Sequence, residues 1–174
     1  MALMVRRIMC LLLALILAAN VAGKTCDVTS GAWGARGDGK ADDGDSIQSA
    51  LDDASCDEVL LPAGKSFSAG ALKLTRSNVV ITIDSGASLS GESSKIKQCD
   101  AEADWQGWCA FLTIGPASNI TLQGNGTLQG NGGSGVHYST LHMKSTAGVV
   151  LGDGLRIHCT NSWWAKVVFL ALPL

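Results

Sequence analysis

The sequence predicts an all-β chain wound as a parallel β-helix, a solenoid of short strands with a short N-terminal cap helix. Three observations predict it. Units of short strand, Gly/Asn/Asp turn and second short strand begin at Asn78, Asn119 and Gly148, and loose repetition of this kind is the mark of a stacked architecture. The apolar runs are short and close on glycine corners. Glycine, at 21 of 174 residues, is well above average use, and stretches with helical periodicity are few. In a stack of such units each strand lies on the next and buries a continuous apolar interior.

In chain order, the first element is a leader. Arg6 and Arg7 precede an apolar run from Ile8 to Ala19, and Val21-Ala22-Gly23 follows. These are the three parts of a secretory signal peptide, with the cut placed after Gly23. The run is about twelve residues, against about twenty for a bilayer span. Residues 1–23 are therefore read as a signal peptide and 24–174 as the N-terminal part of a β-helix domain. The product is expected outside the cell, in the extracellular space or cell wall, with no membrane association after cleavage. Loss of Arg6 and Arg7 takes the formal charge from −2 to about −4, and with no basic stripe a nucleic-acid partner is not indicated.

Of six cysteines, Cys10 leaves with the leader. Cys26, Cys56, Cys99, Cys109 and Cys159 remain, and an oxidising compartment favours disulfides. The economical pairing is Cys26–Cys56 and Cys99–Cys109, contributing roughly 4 and roughly 3 kcal/mol on the loop-entropy model. Cys159 is left without an assigned partner.

The segment Gly34-Ala35-Arg36-Gly37-Asp38-Gly39-Lys40-Ala41-Asp42-Asp43 is dense in acids and glycines. No Gly-Lys-Ser/Thr follows, so it matches neither the phosphate loop nor the dinucleotide pattern. Arg36-Gly37-Asp38 reads as an accident of a Gly- and Asp-rich turn rather than an adhesion signal. Ile47, Ala50, Leu51 and Ala54 then form one apolar stripe at helical spacing. Asp42 or Asp43 stands where an N-cap belongs, and Asp45 favours the helix dipole. These acids read as helix capping, not catalysis.

Strands follow at Val59 to Leu61, from Phe67 to Leu74, at Val79 to Ile83 and at Ala87 to Leu89, then at Ile120 to Leu122 with Thr127-Leu128, and at Val149 to Leu151 with Leu155 to Ile157. Asn78 and Asn119 open their strands at equivalent places, as in an asparagine ladder along a corner. Asn119-Ile120-Thr121 and Asn125-Gly126-Thr127 are also N-glycosylation sequons. Asn125 falls in an exposed turn and is the better acceptor. Cys99 to Cys109 reads as a closed surface loop carrying Trp105 and Trp108 among Asp100, Glu102 and Asp104. Those two tryptophans either stack on sugar rings, as aromatics do at binding surfaces, or cover the end of a strand.

Taken together, these residues resemble the polygalacturonase family, glycoside hydrolase family 28. The resemblance runs from Gly34–Asp43 with its helix, through Leu60-Leu61-Pro62-Ala63-Gly64-Lys65 and Gly70-Ala71-Leu72-Lys73-Leu74. It continues through Ser77-Asn78-Val79 with Gly86-Ala87-Ser88-Leu89-Ser90-Gly91, then Asn119-Ile120-Thr121-Leu122 with Gly126-Thr127-Leu128-Gln129-Gly130. It ends at Leu155-Arg156-Ile157 and Asn161-Ser162-Trp163-Trp164. The series covers residues 26 to 166. It implies a right-handed parallel β-helix, a monomer when complete, that binds pectin or polygalacturonate in a cleft. It also implies inverting hydrolysis of α-1,4-galacturonosyl links without metal or cofactor. In that chemistry one carboxylic acid protonates the leaving oxygen, and carboxylates about 6.5–9.5 Å away activate water.

The motifs that supply those groups in the family are absent from this sequence. The Asp-Asp pairs are Asp42-Asp43 and Asp52-Asp53, both at the cap helix; there is no Asn-Thr-Asp; and His137, His142 and His158 lack flanking glycines. No catalytic residue is identifiable. The apolar tail Val167 to Leu174 does not resemble the family and reads as a premature end, before the catalytic coils. A lipid-anchor signal is the competing reading of that tail, which is short and has no polar spacer. Two functions follow: a polygalacturonase-like hydrolase represented by an incomplete chain, or a non-catalytic secreted protein that binds cell-wall polysaccharide or an inhibitor protein. A calcium-dependent lyase is a third reading, for which the scattered acids supply no metal cluster.

Overall fold

The protein is seen in a computed structural model that describes residues 23–95, 109–131, 138–144, 146–152, 156–160 and 167–170. Among these, the chain forms three parallel sheets and one α-helix. Sheet one is ordered β1 (Thr25–Asp27), β2 (Glu58–Leu61), β5 (Val79–Ile83), β8 (Ala117–Gln123) and β11 (Thr146–Leu151). Sheet two runs β3 (Ser66–Ala69), β6 (Ser88–Glu92), β9 (Thr127–Asn131), β12 (Arg156–Thr160), and sheet three β4 (Leu72–Leu74), β7 (Cys109–Ile114), β10 (Tyr138–Lys144), β13 (Val167–Leu170). From β2 onward the chain visits the three sheets in rotation. Helix α1 spans Gly44–Asp52 between β1 and β2.

Side chains alternate across a strand, so one row of each strand faces the core. On β5, Val79, Ile81 and Ile83 are buried while Val80 and Thr82 are half-buried. Register then stacks like on like. Val59, Ile81 and Leu122 form one row across sheet one, and Phe67, Leu89 and Leu128 one across sheet two. Leu72 lies opposite Leu112 and Leu74 opposite Ile114 in sheet three. These ten residues are all at most 3% exposed, and full burial of such side chains stabilises by roughly 1.5–3 kcal/mol each.

The turns explain two sequence features. Gly124 has φ +111°, and a Cβ there would lie 2.0 Å from the Ile83 carbonyl oxygen, so no other residue fits. Asn78 and Asn119 hold φ of 60° and 55°, a left-handed conformation that asparagine tolerates better than most residues. Asn119 Nδ2 donates to Asn78 Oδ1 at 2.9 Å, so the two form a ladder across adjacent strands.

The expectation of an all-β right-handed parallel β-helix, truncated before its catalytic coils, is corrected. What the described residues form is three separate parallel sheets with an α-helix among their elements, and no closed solenoid is shown. Every strand ladder runs within one sheet, and no ladder joins two sheets. Smaller differences have local causes. The stretch from Phe67 to Leu74 is not one strand: Gly70-Ala71 breaks it, and β3 and β4 enter different sheets. Ala54 lies beyond the end of α1 and is exposed. Strands β7, β10 and β13 were not anticipated.

Candidate functional site

The acid-rich segment before α1 lies along the edge of β3, and α1 along that of β4, the strands that end sheets two and three. A parallel sheet leaves an edge strand with unpaired N–H and C=O groups. Here the segment supplies their partners. Gly39 N–H donates to Ser66 O at 2.6 Å, and Ser66 N–H to Gly37 O at 3.0 Å. Asp43 N–H donates to Ser68 O at 2.8 Å, and Ser68 N–H to Asp43 Oδ2 at 3.4 Å. On β4, the Gln48 amide closes both bonds of Lys73, donating to its carbonyl at 2.8 Å and accepting from its N–H at 2.9 Å.

Local chemistry shapes this edge cover. Gly37 has φ +59°, and a Cβ there would press on the Phe67 ring at 2.9 Å. Asp38 Oδ1 accepts from Lys40 N–H at 2.9 Å and Ala41 N–H at 2.8 Å, an Asx-type turn. These two bonds, Ala41 first, hold the Asp38 carboxyl below its ordinary pKa. Asp43 is 1% exposed and accepts from Arg36 N–H at 2.7 Å. It occupies the N-cap position of α1 but makes no side-chain cap bond; the carboxylate of Asp42 accepts from Gly44 N–H instead, at 3.1 Å. At the other end of α1, Arg76 Nε donates to Leu51 O at 2.5 Å, a cation on the negative end of the helix. Burial lowers the Arg76 pKa against the opposing pull of Asp53, Asp57 and Asp52, and its Nη2 is buried without a hydrogen-bond partner.

A polar cluster joins this cover to sheet two. Lys95, on a 3-10 turn at Ser93–Lys95, donates to Ser68 Oγ at 2.6 Å and to Ala41 O at 3.0 Å. Ser68 Oγ donates to Glu92 Oε1 at 2.9 Å, and Lys95 pairs with Glu92 Oε2 at 3.9 Å. Beside the cluster is a shallow recess of about 160 Å³ lined by Asp42, Gly44, Asp45, Gln48, Gly70, Ala71 and Lys95. It holds two carboxylates and an ammonium. Both carboxylates come from the start of α1, and Asp42 is committed to Gly44, so they do not flank a substrate from opposite sides as inversion requires.

The remaining carboxylates are engaged too. Glu58 accepts from Thr25 and Thr82 hydroxyls at 2.7 and 2.5 Å. Asp27 holds Thr29, Asp57 holds the Lys24 N–H, Asp52 holds Gln48 and Asp84 holds the Ser85 N–H. Asp45 also has an interaction partner. Asp53 accepts from the hydroxyl and N–H of Ser55 at 2.6 and 2.8 Å, which hold its carboxyl below the ordinary range, the hydroxyl foremost. Among the described residues, every Asp and Glu has a partner.

Cys26 and Cys56 form a disulfide, both fully buried. With Asp53 they make a cluster of metal-ligand type, but sulfurs joined to each other have no thiolate to offer a metal. Cys99, Trp105, Trp108 and Asp153 lie outside the described residues, as do Met1 to Ala22 of the leader. Cys109 and Cys159 are placed only by strand position, Cys159 in register with Gly130. Asn119 and Asn125 are both exposed. Sequence reasoning missed Gln48, Ser68, Arg76 and Lys95. Gln48 had a signal, as a polar residue on the helix beside the apolar stripe; the other three each join a partner 25 or more residues away and carried none. No helix of the described residues is long and apolar enough to cross a membrane.

No protein-family model matches the chain, and no curated protein matches it. A crystal structure from Parabacteroides merdae, described as a "putative glycosyl hydrolase", is similar at 17% identity over 78% of this chain and 70% of that one, with a TM-score of 0.47. A likeness so remote carries no argument about chemistry.

Proposed function

We propose that this chain is a secreted, glycoside-hydrolase-like protein directed at pectin, of polygalacturonase type, which binds polygalacturonate without cleaving it. The ordered motif series from Gly34 to Trp164 supports the substrate class. The disulfide between Cys26 and Cys56 fits an oxidising compartment. The absence of turnover rests on one observation: each described carboxylate is held by a hydrogen bond or other partner within the fold, and none is paired across an open cleft. Inverting hydrolysis needs an acid and a base free to face one glycosidic bond from two sides.

The test uses the purified full chain. Incubated with polygalacturonate, it is expected to release no more reducing ends than a buffer blank, yet to co-sediment with insoluble pectin. Reducing ends released above the buffer blank overturn the reading. Failure to co-sediment removes pectin as the ligand.

A further inference from the structure

Two sequons lie close together on adjacent features of sheet one, and the fold treats them differently. Asn125 occupies the turn between β8 and β9 and is exposed, while Gly126 beside it is buried. The glycines on either side press against β5: a Cβ at Gly124 would meet the Ile83 carbonyl oxygen at 2.0 Å, and one at Gly126 the Ile83 side chain at 2.3 Å. The turn is pinned further by Gly126 N–H on Ile83 O and Thr127 N–H on Ala87 O, both 2.9 Å. The anchored glycines leave Asn125 as the residue that faces water. Asn119 is exposed as well, but its amide nitrogen is already a ladder donor to Asn78 Oδ1 at 2.9 Å. Its neighbour Ser118 is tied in the same way, N–H to Ser77 Oγ at 2.9 Å.

We infer that Asn125 carries an N-linked glycan and that Asn119, despite an equally good sequon, does not in the folded protein. The inference rests on the reading that the chain is secreted. In the transfer, Asn125 Nδ2 attacks the anomeric carbon of an oligosaccharide carried on a polyprenyl diphosphate. A C–N bond forms, the anomeric C–O bond breaks, the lipid diphosphate leaves with the electron pair, and the nitrogen gives up one of its two protons. Transfer to the chain before the β8–β9 turn closes leaves a product that the closed turn accommodates, because the acceptor amide faces solvent. On Asn119 the same product replaces one of the two amide hydrogens with a sugar ring, so the ring and the ladder bond to Asn78 Oδ1 compete for one nitrogen at the corner.

The test expresses the full chain in a secretory eukaryotic host, in two versions. One keeps residues 1–23; the other replaces them with the leader of a known secreted protein. Secreted material is deglycosylated enzymatically in heavy-oxygen water, which marks each former glycan site as a labelled aspartate, and is mapped by mass spectrometry. The expected result is one glycan, on Asn125, with Asn119 unlabelled. Thr127→Ala is expected to abolish it and Thr127→Ser to keep it, which separates loss of the sequon from loss of the fold. Asn78→Ser removes the ladder acceptor, and Asn119 is then expected to gain label. Label on Asn119 in the wild-type secreted pool, or an unlabelled Asn125 with the replacement leader, overturns the inference. Asn119 unlabelled in Asn78→Ser overturns the ladder as its cause. If the native-leader chain stays in the cell unmodified while the replaced-leader chain carries the glycan on Asn125, the secretion reading fails and the site stands.

Discussion

At the β3 and β4 edges, the backbone groups of Ser66, Ser68 and Lys73 find partners in residues 37–48. At β11, the edge of sheet one opposite β1, Val150 and Leu151 are 55% and 38% exposed. Leu151 continues by register the row of Val59, Ile81 and Leu122, which are 0%, 3% and 0% exposed. Position in the row and apolar character are the same; among the described residues, the difference is what lies beyond the edge. A strand at the margin of a sheet is buried only if another element covers it. On the β3–β4 side, the covering element is built from the acids and glycines of Gly34 to Asp43, with α1 after them. Short carboxylates suit this work, since one carboxylate can accept two or more backbone N–H bonds, as Asp38 does from Lys40 and Ala41, and fix a loop that has no regular structure of its own.

The contrast can be broken from the covered side. The largest effect is expected from Cys26→Ser with Cys56→Ser. The disulfide closes a sequence separation of 30 and ties β1 to the residues just after α1, so its loss is expected to cost roughly 4 kcal/mol in urea unfolding. Next is Leu51→Ala. Leu51, on the buried face of α1, is 2% exposed, and its truncation is expected to cost roughly 2–5 kcal/mol. The same change at Leu151, on the open edge, is expected to cost about 1 kcal/mol or less, because little further surface is removed from water there. Equal costs at the two leucines would erase the contrast. Third, Asp43→Asn replaces the buried carboxylate that accepts Arg36 and Ser68 N–H groups, and is expected to cost about 1–3 kcal/mol without changing polysaccharide retention.

The smallest effect is on pH dependence. Asp38 and Asp53 have carboxyls held below the ordinary aspartate range. For a depressed folded-state pKa, the unfolded chain takes up protons first. The stabilisation is therefore complete above the unfolded value and is lost as pH falls through the folded one. The urea midpoint is expected to fall below about pH 4, and less steeply in Asp38→Asn and Asp53→Asn. Asp38 is exposed and Asp53 half-buried, so the difference is a change of slope rather than a loss of fold.

Much of the strand layout was legible because its determinants are local. Val79 to Ile83 alternates in sequence as it does in burial, and the repeats at Asn78 and Asn119 are ladder partners. The Cys26–Cys56 pairing followed from sequence order. What was not legible depended on distant groups. Nothing in Phe67 to Leu74 shows that Gly70-Ala71 carries the chain from one sheet to the next. How the sheets relate was inferred from the loose repeats at Asn78, Asn119 and Gly148 and from the resemblance, and the three separate ladders corrected it. In the candidate site, the capping role assigned to Asp42 held for its carboxylate on Gly44, while Asp43 turned its carboxylate to Arg36 and Ser68, the latter 25 residues on. Such a choice is set by which buried N–H groups lack partners, and that is known only once the edges of β3 and β4 are in place.

The central claim, that the acidic segment and α1 serve as an edge cover rather than a catalytic site, is tested most directly by amide hydrogen exchange at Ser66, Ser68 and Lys73. In the wild-type protein all three amides are expected to be protected, although they lie on edge strands. In Gln48→Ala the Lys73 amide alone is expected to exchange rapidly, with Ser66 and Ser68 still protected. Rapid exchange at all three in the wild type, or a Lys73 amide indifferent to Gln48→Ala, would contradict the account.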